Sequence, residues 1–366
     1  VDVDTSQKIF KLDNMTIFEK VLQLHFITTT ELASYYPVRK FGKICRNSIK
    51  NFPIGGILLY GYNLKNPKQT QNLISSMQNA STNNTGLPLF IGIDEEGGLV
   101  ARVGREAKLN VERVAPAAKL GSSQNALQAG LSIGSYLSNL GINVNFAPVV
   151  DVPTSLKNTF LGSRAYSTYV EEIRLYALEF AKGLQAKGIL PCYKHFPGIG
   201  YSDNKYPHYG FSRVNRSLGA LRNLEFLPYH DASKENIPFV MVSHVLCPKI
   251  SSNNKPASLS SDIVTDLLIN DLNYDVIFVS DALFMDSIRK IYKNGRASVE
   301  AINAGCDMIV KPGNFKASIN AMLKAIEKGE ISEERIDQSV NRILKLKEKL
   351  PTENMFSEQY RLKRSN

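Results

Sequence analysis

Short apolar or β-branched runs recur along the chain, each followed by polar or charged residues and then by a longer stretch of helical periodicity. This alternation narrows the fold more than any other feature. The runs occupy 56–60, 89–93, 144–149, 189–193, 239–242, 276–279 and 308–310, and helix-period segments lie between them at 126–140, 170–187, 261–269 and 296–304. Successive βα units build a parallel sheet, and eight of them close into an α/β (β/α)8 TIM-like barrel. Seven runs are clear, so the eighth strand is irregular or the barrel imperfect. The 366 residues, 43% of them hydrophobic, supply enough core for one large barrel or two ordinary domains. No repeat, low-complexity tract or linker divides them, and residues 1–366 read as a single domain.

Asp94 and Glu95 follow the second run, Asp151 the third, Lys194 and His195 the fourth, Ser243 and His244 the fifth, Ser280 and Asp281 the sixth, and Lys311 the seventh. In a (β/α)8 barrel these positions converge on one mouth, where active sites are built. Any single strand-end Asp or Ser serves equally well as the N-cap of the next helix. Capping does not account for Lys194 beside His195, or for charge after most of the strands.

Other functions are excluded by what the sequence lacks. The longest apolar runs, such as 54–60 and 276–279, fall far short of the ~20 residues a membrane span requires. The net charge of +10 comes from dispersed cations that gather toward the C-terminus at Lys345, Lys347, Lys349, Arg361, Lys363 and Arg364. That distribution speaks against nucleic acid, while a basic surface favours encounter with an anionic polymer or an acidic cell wall. Cys45, Cys192, Cys247 and Cys306 are scattered, three of them in apolar stretches, as core thiols are. No trio of His, Asp, Glu or Cys has metal-ligand spacing, so no metal is expected. Gly97 and Gly98 belong to neither GxGxxG nor GxxxxGK. The chain begins Val1-Asp2-Val3 without an initiator Met, which implies a removed leader or a trimmed chain. The compartment, cytoplasmic or periplasmic, stays open. His25 and His230 fall in helical contexts and read as ordinary core or surface histidines.

Several segments agree, in order, with one known family. They are 91–102 (IGIDEEGGLVAR), 141–152 (GINVNFAPVVDV), 161–166 (LGSRAY), 193–200 (YKHFPGIG), 241–245 (MVSHV), 279–285 (VSDALFM) and 304–308 (AGCDM). Together they span nearly the whole chain and resemble glycoside hydrolase family 3, closest to its one-domain β-N-acetylglucosaminidase branch, which acts on cell-wall fragments. The resemblance implies a retaining hydrolase of terminal β-N-acetylglucosamine, with a peptidoglycan-derived saccharide as partner and no cofactor, working as a monomer or weak dimer. It gives Asp281 as the nucleophile; the competing reading is a cap for a helix starting near Ala282. It assigns sugar binding to Asp94, Arg102, Arg164, Lys194 and His195, against the alternative of ion pairs bracing the mouth, such as Asp94 with Arg164 or Lys194. His244 reads as a residue beneath the site and Asp151 as structural.

Family-3 β-glucosidases carry a second domain that supplies the general acid. This chain stops soon after its last barrel-like helix, so the acid is expected from the barrel itself. In the one-domain branch that acid and base is a loop His, which maps onto His208; a ring titrating near pH 6.5 suits a group that gives and then takes a proton. The family's partner Asp lies two residues earlier, where this chain has Tyr206, with Pro207 between, and Asp203 is the nearest substitute. Glu95 stands where Gln is usual, and Leu99 where Arg is usual, which removes a cation near the mouth. Two alternatives stay open: a family-3 enzyme for a β-glucoside or β-xyloside, and a carbohydrate-binding barrel without its acid.

Overall fold

A computed structural model describes residues 10–157, 161–203 and 211–350. Eight parallel strands form one sheet: β1 His25–Thr28, β2 Gly56–Leu58, β3 Phe90–Ile93, β4 Val144–Asn145, β5 Leu190–Phe196, β6 Phe239–Val242, β7 Ile277–Ser280 and β8 Ile309–Val310. From β1 to β7 each pairs with its neighbour in sequence, and β8 returns to β1 through His25 opposite Ile309 and Phe26 opposite Val310. The ring is nearly closed. Across the remaining seam, β7 and β8 share one isolated parallel bridge, Val279 with Met308, and the Ser280 hydroxyl accepts the Val310 N–H at 3.2 Å in place of a further ladder bond.

The strand absent from the sequence reading is β1. It is four residues long, follows the helix Ile17–Gln23 almost directly, and leads into the helix Thr29–Ala33. With no turn residues to bound it, the segment looked helical, and His25 is corrected from a helical context to the first residue of a strand. Its Nδ1 lies 2.8 Å from the Val21 carbonyl and its Nε2 2.8 Å from Ser318 Oγ, and burial pushes its pKa down to about 4. His230 does lie in a helix, Leu227–Lys234.

Large rings fill the barrel. Phe26 stacks on Phe90 and meets Phe146 edge-on, with centroids 6.2 and 5.2 Å apart, and Phe90 meets Phe239 at 5.5 Å. Glycine makes room for them: a Cβ on Gly56 or Gly92 would stand 2.9 or 2.8 Å from the Phe26 ring. Such layered packing makes the interior a core and leaves the mouth for chemistry. Amphipathic helices wrap the outside, including Pro67–Thr85, Ser123–Leu140, Val170–Gln185 and Arg296–Ala304. The helix expected over 261–269 runs Asp262–Asp271 with π winding. All four cysteines are buried and free, and among the described residues no helix is long and apolar enough to cross a membrane.

Candidate active site

The strand ends gather charged side chains at one mouth. After β3 the chain turns into a two-stranded hairpin, Glu95–Gly97 against Val100–Ala101. Gly97 and Gly98 both have positive φ, 90° and 57°, and a Cβ on Gly98 would lie 2.5 Å from Pro116, so the turn requires glycine. Side chains alternate along the hairpin strand. Glu95 and Glu96 therefore point to opposite sides and do different work.

Glu95 is fully buried. Its carboxylate accepts the N–H groups of Arg102, Val103 and Gly104 at 2.5, 2.7 and 2.8 Å and the Tyr136 hydroxyl at 2.8 Å. It thus fixes the hairpin's return strand, and with it Arg102. Burial pushes its pKa up against these donors. Leu99, at the hairpin tip, is 67% exposed.

Glu96 is the electrostatic centre of the mouth, a residue the sequence reading missed. Arg164 grips it with two hydrogen bonds, Nε to Oε2 at 2.8 Å and Nη2 to Oε1 at 2.9 Å, and Lys194 Nζ lies 2.6 Å from Oε1. Burial alone would raise the Glu96 pKa, but Lys194 and Arg164 outweigh it and hold the group down at about 2. Lys194, itself buried, is likewise held charged, its pKa raised by Glu96 and Asp94 against the desolvation that would lower it. The alternation of a hairpin strand was the one signal that could have separated Glu96 from Glu95.

Asp94 takes Lys194 Nζ on Oδ1 at 3.1 Å and stands 3.9 Å from Arg102 Nη2. Of the two bracing pairs considered for Asp94, the one with Lys194 forms, while Arg164 pairs with Glu96. Asp94 and Arg102 remain half-buried at the rim.

On β5 the register shifts between Lys194 and Phe196. The irregularity lets two consecutive residues serve the mouth, which a regular pleat does not allow. His195 Nδ1 lies 2.7 Å from Asp151 Oδ2, and Asp151 Oδ1 accepts the Ile199 N–H at 2.8 Å. With a carboxylate as acceptor, Nδ1 of His195 carries a proton. Asp151 is 1% exposed, and beyond the structural role read from the sequence its carboxylate holds the His195 ring.

Asp281 sits just past β7, half-buried, with Oδ1 accepting the Ala282 N–H at 2.7 Å. No helix starts there. The next one is Asp286–Arg289, with Met285 at its N-cap position, so the helix-cap reading of Asp281 falls. Burial would raise the Asp281 pKa, but His244, His195, the Ala282 N–H and Lys194 together hold it below the usual carboxylate value. His244 lies beneath it: Nε2 donates to the Ala282 carbonyl at 3.1 Å and Nδ1 accepts from Ser258 Oγ at 2.7 Å. Asp281, His195 and His244 line one cavity with Ser202, Ser212 and Met285. Across the mouth, Lys311 Nζ rests 4.9 Å from the ring centroids of both Tyr60 and Phe284.

Asp203 is exposed, its Oδ1 accepting the Arg213 N–H at 2.7 Å while its own N–H donates to the Arg213 carbonyl at 3.1 Å. His208, Tyr206 and Pro207 lie outside the described residues. Among the described residues no group of three His, Cys, Asp or Glu is gathered to hold a metal ion.

The sequence matches the glycosyl hydrolase family 3 N-terminal domain over residues 16–346. Beta-hexosaminidase A of Pseudoalteromonas piscicida is 32% identical over 328 residues, which cover 83% of this chain and 54% of that protein. A beta-N-acetylglucosaminidase/beta-glucosidase of Cellulomonas fimi is 29% identical over 306 residues, 81% of this chain and 52% of that protein. The chain spans about half the length of these two curated relatives. The solved structure of a glycoside hydrolase family 3 β-N-acetylglucosaminidase from Paenibacillus sp. str. FPU-7 superposes with a TM-score of 0.84 at 34% identity, covering 91% of this chain and 62% of that one.

Proposed function

The chain belongs to glycoside hydrolase family 3, and from that premise we propose that it is a retaining exo-β-N-acetylglucosaminidase whose nucleophile is Asp281. The observation that carries this reading is an ionised carboxylate at a strand end, lining one cavity with His195 and His244 and held below its ordinary pKa in part by Lys194. Such a group is armed as a nucleophile near neutral pH. A carboxylate Oδ of Asp281 attacks the anomeric carbon and the bond from that carbon to the glycosidic oxygen breaks. The leaving oxygen takes a proton from the acid. Water then attacks the glycosyl ester, returning a proton to the same group, and the sugar leaves with its original configuration.

The acid and base role goes to His208, on the strength of the family resemblance, and Asp203 helps to fix the segment that carries it. Asp94, Arg102, Arg164, Lys194 and His195 bind the terminal sugar. Charged donors and acceptors held in fixed geometry suit vicinal hydroxyls, and the Lys194, Glu96 and Arg164 network supplies that rigidity. The substrate is a peptidoglycan or muropeptide fragment, an anionic polymer product that the net charge of +10 would attract.

An aryl N-acetyl-β-glucosaminide should be hydrolysed, and Asp281→Ala should lower turnover by at least about 10⁴-fold while the protein stays folded. Sugar binding without turnover from pH 4 to 8 would favour a carbohydrate-binding barrel instead. The Cellulomonas fimi relative bears both activities in its name, so a β-glucoside is the second reading. Aryl glycosides with and without the 2-acetamido group separate the two.

A further inference from the structure

Residues 199–203 leave β5 and residues 211–216 return from the segment bearing His208. These two stems are fixed by different parts of the barrel. On the outgoing stem, Ile199 donates to Asp151, and Gly200 is pressed so close to Val152 that a Cβ there would meet its carbonyl oxygen. The returning stem lies along Leu246, beyond β6: Leu246 N–H donates to the Ser212 carbonyl and Val214 N–H to the Leu246 carbonyl, both at 2.8 Å. Ser202 and Ser212, one from each stem, line the cavity that holds Asp281 and His195.

One side chain touches both stems and the core. The Arg216 guanidinium lies 4.3 Å from the Tyr201 ring centroid, a cation–π contact across the stems. Its Nε is 2.8 Å from Glu225 Oε1. Glu225 is 1% exposed and packs directly under the turn after Pro197, where a Cβ on Gly198 would stand 2.9 Å from Glu225 Cγ. Burying a carboxylate is costly, and the Arg216 guanidinium is the nearby charge that offsets part of that cost.

We infer that Arg216, stacked on Tyr201 and paired with Glu225, is a positioning residue that sets the two stems for the acid and base step. This rests on the hydrolase reading above. Asp203 and Arg213 pair the stems through backbone and carboxylate bonds at the exposed end, and Arg216 locks them at the buried end.

The experiment uses the full chain carrying Arg216→Met and two substrates. A dinitrophenyl N-acetyl-β-glucosaminide needs no proton on its leaving group; a disaccharide of N-acetylglucosamine does. General acid help is worth about 10²–10⁴-fold, so kcat/KM on the disaccharide should fall by roughly 30-fold or more, while kcat/KM on the dinitrophenyl glycoside changes by no more than about threefold. Azide should speed steady-state turnover of the dinitrophenyl substrate by the variant, with glycosyl azide as product, and leave the wild type unchanged. Equal losses on both substrates, or an unchanged disaccharide rate, overturn the inference. Glu225→Gln should reproduce the same split and decides the matter if Arg216→Met does not fold. A wild-type protein inactive on both substrates sinks the hydrolase reading, and this inference with it.

Discussion

Lys194 Nζ lies 2.6 Å from Glu96 Oε1 at the barrel mouth, both side chains no more than 5% exposed. With Arg164 on the other side of the same carboxylate, Glu96 is the anion around which two cations of the mouth are arranged.

Removing that anion should destabilise the protein. Breaking a buried pair by deleting one partner costs about 3–5 kcal/mol, and Glu96→Gln leaves two buried cations short of a counter-charge. The folded-state pKa is depressed from 4.5 to about 2, so the contribution is fully present above pH 4.5 and is lost as pH falls toward 2. Urea unfolding of wild type and Glu96→Gln should show a gap that is wide at neutral pH and narrows below about pH 4.5. A gap independent of pH would rule out the ionised carboxylate as its source.

Lys347 makes the opposite kind of prediction. It is 1% exposed at the far end of the barrel, donating to Gln23 Oε1 at 2.9 Å with its ammonium 5.2 Å from the Phe90 ring centroid. Burial pushes its pKa down from 10.5 to about 7. Between those pH values the unfolded chain binds the extra proton, so wild-type stability rises with pH across that window; below it the cost is present in full. Lys347→Met should therefore stabilise the protein by about 1–4 kcal/mol at or below pH 7, after the loss of the Gln23 bond is allowed for. Denaturation at pH 6 and pH 10 checks both the sign and the shrinking difference.

Asp151→Asn tests the orientation of His195. The carboxylate accepts the His195 ring proton on one oxygen and the Ile199 N–H on the other, whereas an amide accepts on one side only. One donor is left facing an NH2 group, a loss of about 1–3 kcal/mol. If His195 holds the sugar, kcat/KM should fall about ten- to hundredfold. Unchanged kinetics alongside reduced stability would confine Asp151 and His195 to the framework.

The fourth prediction concerns pH and activity. The kcat/KM profile reports groups of the free enzyme, and Asp281 is held below its ordinary value of 3.8. Asp281 therefore stays ionised throughout the mildly acidic range, and if it is the nucleophile the acid limb it controls should lie below about pH 4. An acid limb centred above pH 5 that vanished in a variant retaining Asp281 would transfer that limb to another group.

Much of this protein could be read without coordinates. Barrel strands are short, local and apolar, and the residue that ends each one is fixed by chain direction, so the sequence by itself determined which side chains would meet at the mouth: Asp94, Lys194, His195 and Asp281. The motifs after β3, β5 and β7 carried the family for the same reason. Tertiary structure decided how those groups are held. Glu96 meets Arg164 across 68 residues, Lys347 meets Gln23 across 324, and Arg216 joins two stems only because the barrel brings them together. Even β1 became a strand through its neighbours β2 and β8, not through its own residues. Periodicity records which face a residue occupies; partners distant in the chain, and the burial that tunes their charges, exist only once the ring closes.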